Sequence, residues 1–148
     1  MPVNVDAVGR AYGPSEQYEV SRVKIREFAD AVDAKGDEHR DVAAAQAAGF
    51  ADLVAPTTFA VVIAQRAEFH VVVDPEVGVD FSKVVHADER FTHHRPIVAG
   101  DTISTIIHID NLAQRAGISM VTTRAELVDT DDKPVATVLS TLAVREDA

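Results

Sequence analysis

The chain has 148 residues, 47% apolar and 26% charged, with no cysteine and no tryptophan; that composition suits one globular core burying roughly two-thirds of the unfolded surface. Twenty-four acidic against 14 basic residues leave a formal charge of -10, which repels polyanions and argues against a nucleic-acid partner, while the lack of cysteine removes disulfides, thiolate chemistry and Cys-ligated metal. No stretch offers the roughly 18 apolar residues of a membrane span, and Met1 to Arg10 lacks the apolar run of a signal peptide, so a cytoplasmic protein without a membrane partner is expected.

Neither repeats nor linker-like runs interrupt the sequence, so residues 1-148 read as a single domain. After the turn Gly13-Pro14-Ser15, Ser21 is a plausible N-cap, and Ile25, Phe28, Ala29 and Val32 recur at the spacing of an amphipathic helix ending near Asp33. Asp41 caps a short Ala-rich helix that stops at Gly49, a residue suited to the left-handed C-terminal position. Pro56 fits the first turn of the next helix. From Thr57 to Ala64 almost every side chain is apolar or small, the mark of a helix buried on all sides, and Gln65, Arg66 and Glu68 are expected where it emerges.

Past Asp74-Pro75 the period changes to two. Ile103, Thr105, Ile107 and Ile109 share one strand face, Ile118 to Val128 forms another long strand, and Val135, Thr137, Leu139 and Thr141 share a face beyond the turn from Asp129 to Pro134. One apolar helix followed by strands with a single buried face gives an α+β class, with an antiparallel sheet wrapped around the helix: the hot-dog fold.

Four further segments occur in order: Tyr18-Glu19-Val20 with Lys24 to Ala29, then Ala55-Pro56-Thr57-Thr58-Phe59, then Asp80 to Glu89, and Arg95 to Asp101. Together, over about Val8 to Val144, they resemble an actinobacterial group of MaoC-like hot-dog proteins. That group includes the substrate-binding subunits of mycobacterial (3R)-hydroxyacyl-ACP dehydratase. The resemblance implies dehydration of 3-hydroxyacyl thioesters, or the reverse hydration, in fatty-acid metabolism, with no cofactor. Active members use an Asp and His pair around one water, and a backbone N-H at the buried helix polarises the thioester carbonyl.

Carried over position by position, the resemblance puts the general-base histidine at His39 and the aspartate at Ala34, a methyl group that cannot relay a proton. Asp33 and Asp37 are the neighbouring carboxylates. The His-Gly pair that opens the buried helix in active members corresponds to Pro56 and Thr57, and only Thr57 has an N-H to offer. The candidate catalytic residues are therefore His39 and Asp33, and the candidate substrate-binding residues Thr57, Thr58, Phe59 and His86. Against this, His39 sits among Asp37, Glu38, Arg40 and Asp41, as an ordinary solvated loop histidine would. No metal is expected, because His86, His93, His94 and His108 lack ligand spacing.

Three functional readings stand beside one another. The leading one is a substrate-binding subunit with a degenerate catalytic motif, holding acyl-ACP or acyl-CoA thioester and pairing with itself or with a hot-dog paralogue that supplies the Asp and His. The others are a self-sufficient homodimeric (R)-specific enoyl-thioester hydratase and a non-catalytic acyl-thioester-binding protein. The basic residues Arg22, Lys24, Arg26, Arg90 and Arg95 are the exceptions on a negative surface where an acidic carrier could dock.

Overall fold

Chain stiffness and capping set the first half of the molecule, which a computed structural model describes over residues 2-147. The Ser21 side chain accepts the Lys24 N-H and starts helix α1, Arg22-Ala31, whose Ile25 and Ala29 are buried. Asp41 accepts from Ala43 and Ala44 and caps α2, Val42-Ala47, after which Gly49 turns the chain at φ 98°. Two short strands precede α1: β1, Ala11-Tyr12, and β2, Tyr18-Glu19.

The buried helix α3 runs Ala60-Val73, starting three residues later and ending nine residues beyond the predicted segment. Pro56, Thr57 and Thr58 form a turn that leads into it, closed by the Phe59 N-H on the Pro56 carbonyl at 2.9 Å. Its inner face carries Ala60, Ile63, Ala64, Ala67, Val71 and Val72, while Gln65, Arg66, Phe69, His70 and Val73 are exposed. Gln65 and Arg66 emerge as expected, but within the segment read as buried on all sides Thr57 and Thr58 are exposed and Val61 and Val62 only half-buried, so that expectation fails. Glu68 corrects the sequence reading in the opposite direction, being only 4% exposed on the inner face.

The second half supplies β3, Val84-His93, β4, Thr102-Arg115, β5, Ile118-Val128, and β6, Pro134-Arg145. All pairings are antiparallel in the order β1-β4-β5-β6-β3, with β2 also on β4. Alternation decides which face is inside: Ile103, Thr105, Ile107 and Ile109 of β4 are all buried, as are Ser119, Val121, Thr123, Ala125 and Leu127 of β5. On β6 the face that closes the core is Ala136, Val138, Ser140, Leu142 and Val144; Thr137, Leu139 and Thr141 turn outward, so of the face read from the sequence only Val135 is enclosed. The sheet curls around α3, and Phe59 at the foot of that helix meets Phe28 edge-on at 5.4 Å. This is the α+β hot-dog arrangement.

Candidate functional site

A cleft of about 650 Å³ opens where the segment before α3 meets the loop after α1 and the end of β3. Its walls include Ala34, Glu38, His39, Phe50, Pro56, Thr57, His93 and Arg95. The segment from Leu53 to Ala55 is the strut: Val54 N-H donates to the Glu38 carbonyl at 3.1 Å, Ala55 N-H to the Ile97 carbonyl at 2.8 Å, and Ala99 N-H to the Leu53 carbonyl at 2.9 Å. This fixes the Val54 carbonyl, which accepts from His39 Nδ1 at 2.7 Å. A carbonyl can only accept, so Nδ1 carries the hydrogen and the lone pair of the neutral ring sits at Nε2.

His39 is thus not the solvated loop histidine that its charged neighbours suggest; its side chain is 14% exposed, in a short 3-10 turn, Asp37-His39. Two arginines wire that turn to α1. Arg40 donates to the Gly36 carbonyl at 3.2 Å and to Asp30 at 2.9 Å, and Arg26 donates to the Arg40 carbonyl at 3.0 Å. The expected basic patch on α1 is largely spent this way, since Arg22 grips Asp52 through two bonds and Lys24 reaches Glu27 at 3.3 Å. Arg90 pairs with Asp88 at 3.0 Å and Arg95 with Asp101 at 2.8 Å.

The structure brings together His39, Ala34 and Thr57. Among the described residues neither Thr57 nor Thr58 has an intrachain acceptor for its N-H, as befits the turn opening a helix. Thr58 is exposed but does not line the cleft, and Phe59 is wholly enclosed in the core below it. Asp33 points away: φ is 58°, its side chain is 78% exposed, and it pairs with Lys35 at 2.5 Å. Asp37 is exposed as well. The carboxylate that does reach the cleft is Glu38, whose Oε1 lies 3.7 Å from His39 Nε2. Sequence reading passed over Glu38 because nothing in the order of residues distinguishes it from its acidic neighbours. Also in the cleft, His93 Nε2 bonds the Thr57 carbonyl at 2.6 Å and His94 Nε2 the Thr137 hydroxyl at 3.1 Å.

His86 lies elsewhere, on β3. Its Nε2 is 3.3 Å from Glu68 Oε1, 3.4 Å from Gln65 and 3.8 Å from Glu89 Oε1. The Thr123 hydroxyl donates to Glu68 at 2.6 Å, and the Ser140 hydroxyl lies 2.7 Å from both Glu89 oxygens. Burial pushes the Glu89 carboxyl above the usual range, against the opposing effect of the Ser140 bond. These polar side chains form an internal tie between α3 and three strands, and none lines the cleft.

Comparison with known proteins adds the family. A family described as "FAS1-like, dehydratase domain region" matches residues 6-138. The chain belongs to the MaoC-like hot-dog dehydratase family. A UPF0336 protein of Saccharopolyspora erythraea is 47% identical over 148 residues, covering 100% of this chain and 95% of the relative. The truncated HadBC (3R-hydroxyacyl-ACP dehydratase) complex from Mycobacterium tuberculosis superposes with a TM-score of 0.84 at 30% identity, covering 93% of this chain and 97% of the matched one. A MaoC-like dehydratase gives 0.87 at 31% identity over 95% of this chain, but only 42% of its own length is covered. For this member of the family, no helix among the described residues is long and apolar enough to cross a membrane.

Proposed function

We propose that this MaoC-like chain holds an acyl thioester, carried on ACP or coenzyme A, as the substrate-binding subunit of a 3-hydroxyacyl-thioester dehydratase or enoyl hydratase, with chemistry that is weak in the chain alone. The observation that carries this reading is the juxtaposition of Ala34, His39 and Thr57 in one cleft. Thr57 offers an unengaged N-H at the foot of α3, where developing negative charge on a thioester oxygen is favoured, and His39 offers a lone pair. The position that the family resemblance assigns to an aspartate carries only a methyl group. Dimerisation, with a second copy or with a hot-dog paralogue that keeps both Asp and His, fits the open edge of β3, the terminal strand of the sheet. The heteromeric dehydratase complex among its relatives points the same way.

The test mixes the purified chain with such a paralogue and follows hydration of an enoyl thioester. Measurable thioester affinity in the chain alone, and turnover raised about 100-fold or more by the partner, is the expected result, because a positioned acid or base supplies 10² to 10⁴. Thr57→Pro, which deletes the N-H, should weaken thioester turnover by a factor on the order of 10². A chain that binds neither saturated nor unsaturated thioesters ends the proposal.

A further inference from the structure

We infer that Glu38 stands in for the carboxylate missing at Ala34, so that Glu38 and His39 together hold one water against the bound enoyl thioester and carry the weak hydratase activity that the chain has without a partner. The inference rests on the thioester reading above and adds the reacting group that reading lacks.

Three observations converge on the pair. First, the Nδ1 bond to the Val54 carbonyl leaves Nε2 of His39 as the acceptor on the cleft side. Second, Glu38 Oε1 stands 3.7 Å from Nε2. That is too long for a direct hydrogen bond but suits a water about 2.8 Å from each atom. Third, the Glu38 carboxylate, though 38% exposed, folds back over Gly36: a methyl group there would lie 2.4 Å from Oε1 and 2.5 Å from Cδ and Oε2, so alanine at that position would push the carboxylate aside. The turn that carries both residues is braced by Arg40 and Arg26, and the His39 ring is held by its Nδ1 bond to the Val54 carbonyl.

The step balances without a co-reactant beyond water. The Glu38 carboxylate accepts one hydrogen of the water and orients it. His39 Nε2 takes the other hydrogen as the O-H bond breaks and the oxygen bonds to C3 of the enoyl thioester. The C2=C3 π pair moves toward C2 and the thioester carbonyl, whose oxygen faces the Thr57 N-H. C2 then takes the proton from His39, which returns to its starting state, and the product is the 3-hydroxyacyl thioester.

The experiment uses the full chain, crotonyl-CoA and a long-chain enoyl-CoA, with loss of the conjugated-thioester absorbance giving kcat and KM. Calorimetric titration with the saturated acyl-CoA counterparts gives affinity separately. Glu38→Gln and His39→Gln should each lower kcat tenfold or more while saturated-thioester affinity stays within about twofold, since both variants keep the shape of the cleft. Ala34→Asp in the Glu38→Gln background should restore turnover, which a purely structural role of Glu38 does not predict. Gly36→Ala should reproduce part of the loss by displacing the carboxylate. Saturated thioester bound without wild-type turnover, or a Glu38→Gln loss below tenfold, overturns the inference and leaves the thioester reading standing. Absence of any thioester affinity overturns the reading itself.

Discussion

Replacing Phe59 by alanine tests the joint on which both core and cleft depend. The ring is 0% exposed, and its edge-on contact with Phe28 has centroids 5.4 Å apart and planes at 85°. Truncating a buried Phe costs about 3-5 kcal/mol through lost transfer energy and the cavity left behind, and the aromatic pair places this site in the upper half, about 4 kcal/mol. A domain of this size has about 5-15 kcal/mol in total, so the variant should stay folded but lose on the order of 10 °C in Tm. Urea unfolding followed by circular dichroism reads the loss as a lower midpoint at unchanged slope. A double-mutant cycle with Phe28→Leu and Phe59→Leu should show about 0.5-1.5 kcal/mol of coupling. A Phe59→Ala cost below about 2 kcal/mol, or no coupling, would refute the packing of this helix foot.

Tyr12 gives a prediction at alkaline pH: burial, then its bond to Asp74 at 2.6 Å, pushes the phenol from 10.0 up to about 12. Its folded pKa lies above the unfolded value, so the protonated phenol stabilises the fold below pH 10 and that contribution fades as pH rises toward 12. Ultraviolet titration should show a tyrosine ionising near 12 that Tyr12→Phe removes; loss of one ionising near 10 instead would contradict the Asp74 contact. Glu89 has the same sign, raised by burial, so its penalty is present at neutral pH and vanishes as pH falls through the carboxylate range. Glu89→Gln should therefore raise the urea midpoint at pH 7 but not in acid, and an equal effect at both would count against burial as the cause. At the β4-β5 turn, Ala116 has φ 51° before Gly117 at φ 78°; Ala116→Gly should gain about 0.5-1 kcal/mol, and no gain on urea unfolding would contradict a strained turn.

How much could be read in advance follows the physics of each segment. Strand β5 appears with the expected ends, Ile118 and Val128, because one face meets the core and the turns on either side are chemically marked. Helix α1 and its Ser21 cap were legible for a related reason, as local bonds and a local period specify both. Helix α3 was harder: Pro56 looks like a first-turn residue, yet the Phe59 bond to its carbonyl delays the regular helix to Ala60. On β6, Val135, Thr137, Leu139 and Thr141 are as β-prone as their neighbours, and only the pairing with β5 and β3 reveals that Ala136, Val138 and Ser140 face inward. The cleft was half legible. His39 and Thr57 followed from family position, whereas Glu38 became distinguishable from Asp33 and Asp37 only when folding turned the loop.

The buried carboxylate of Glu68 has a consequence for how the central rod finds its place. A surface of Ala, Ile and Val can roll or slip along a curved apolar sheet at little cost, leaving several near-equivalent seatings. Glu68 bonds Thr123 on β5 and approaches His86 on β3, so only one azimuth and one axial offset satisfy it. Replacing it with leucine should leave a protein that still folds yet gives broadened core resonances, the mark of a rod that has lost its indexing pin.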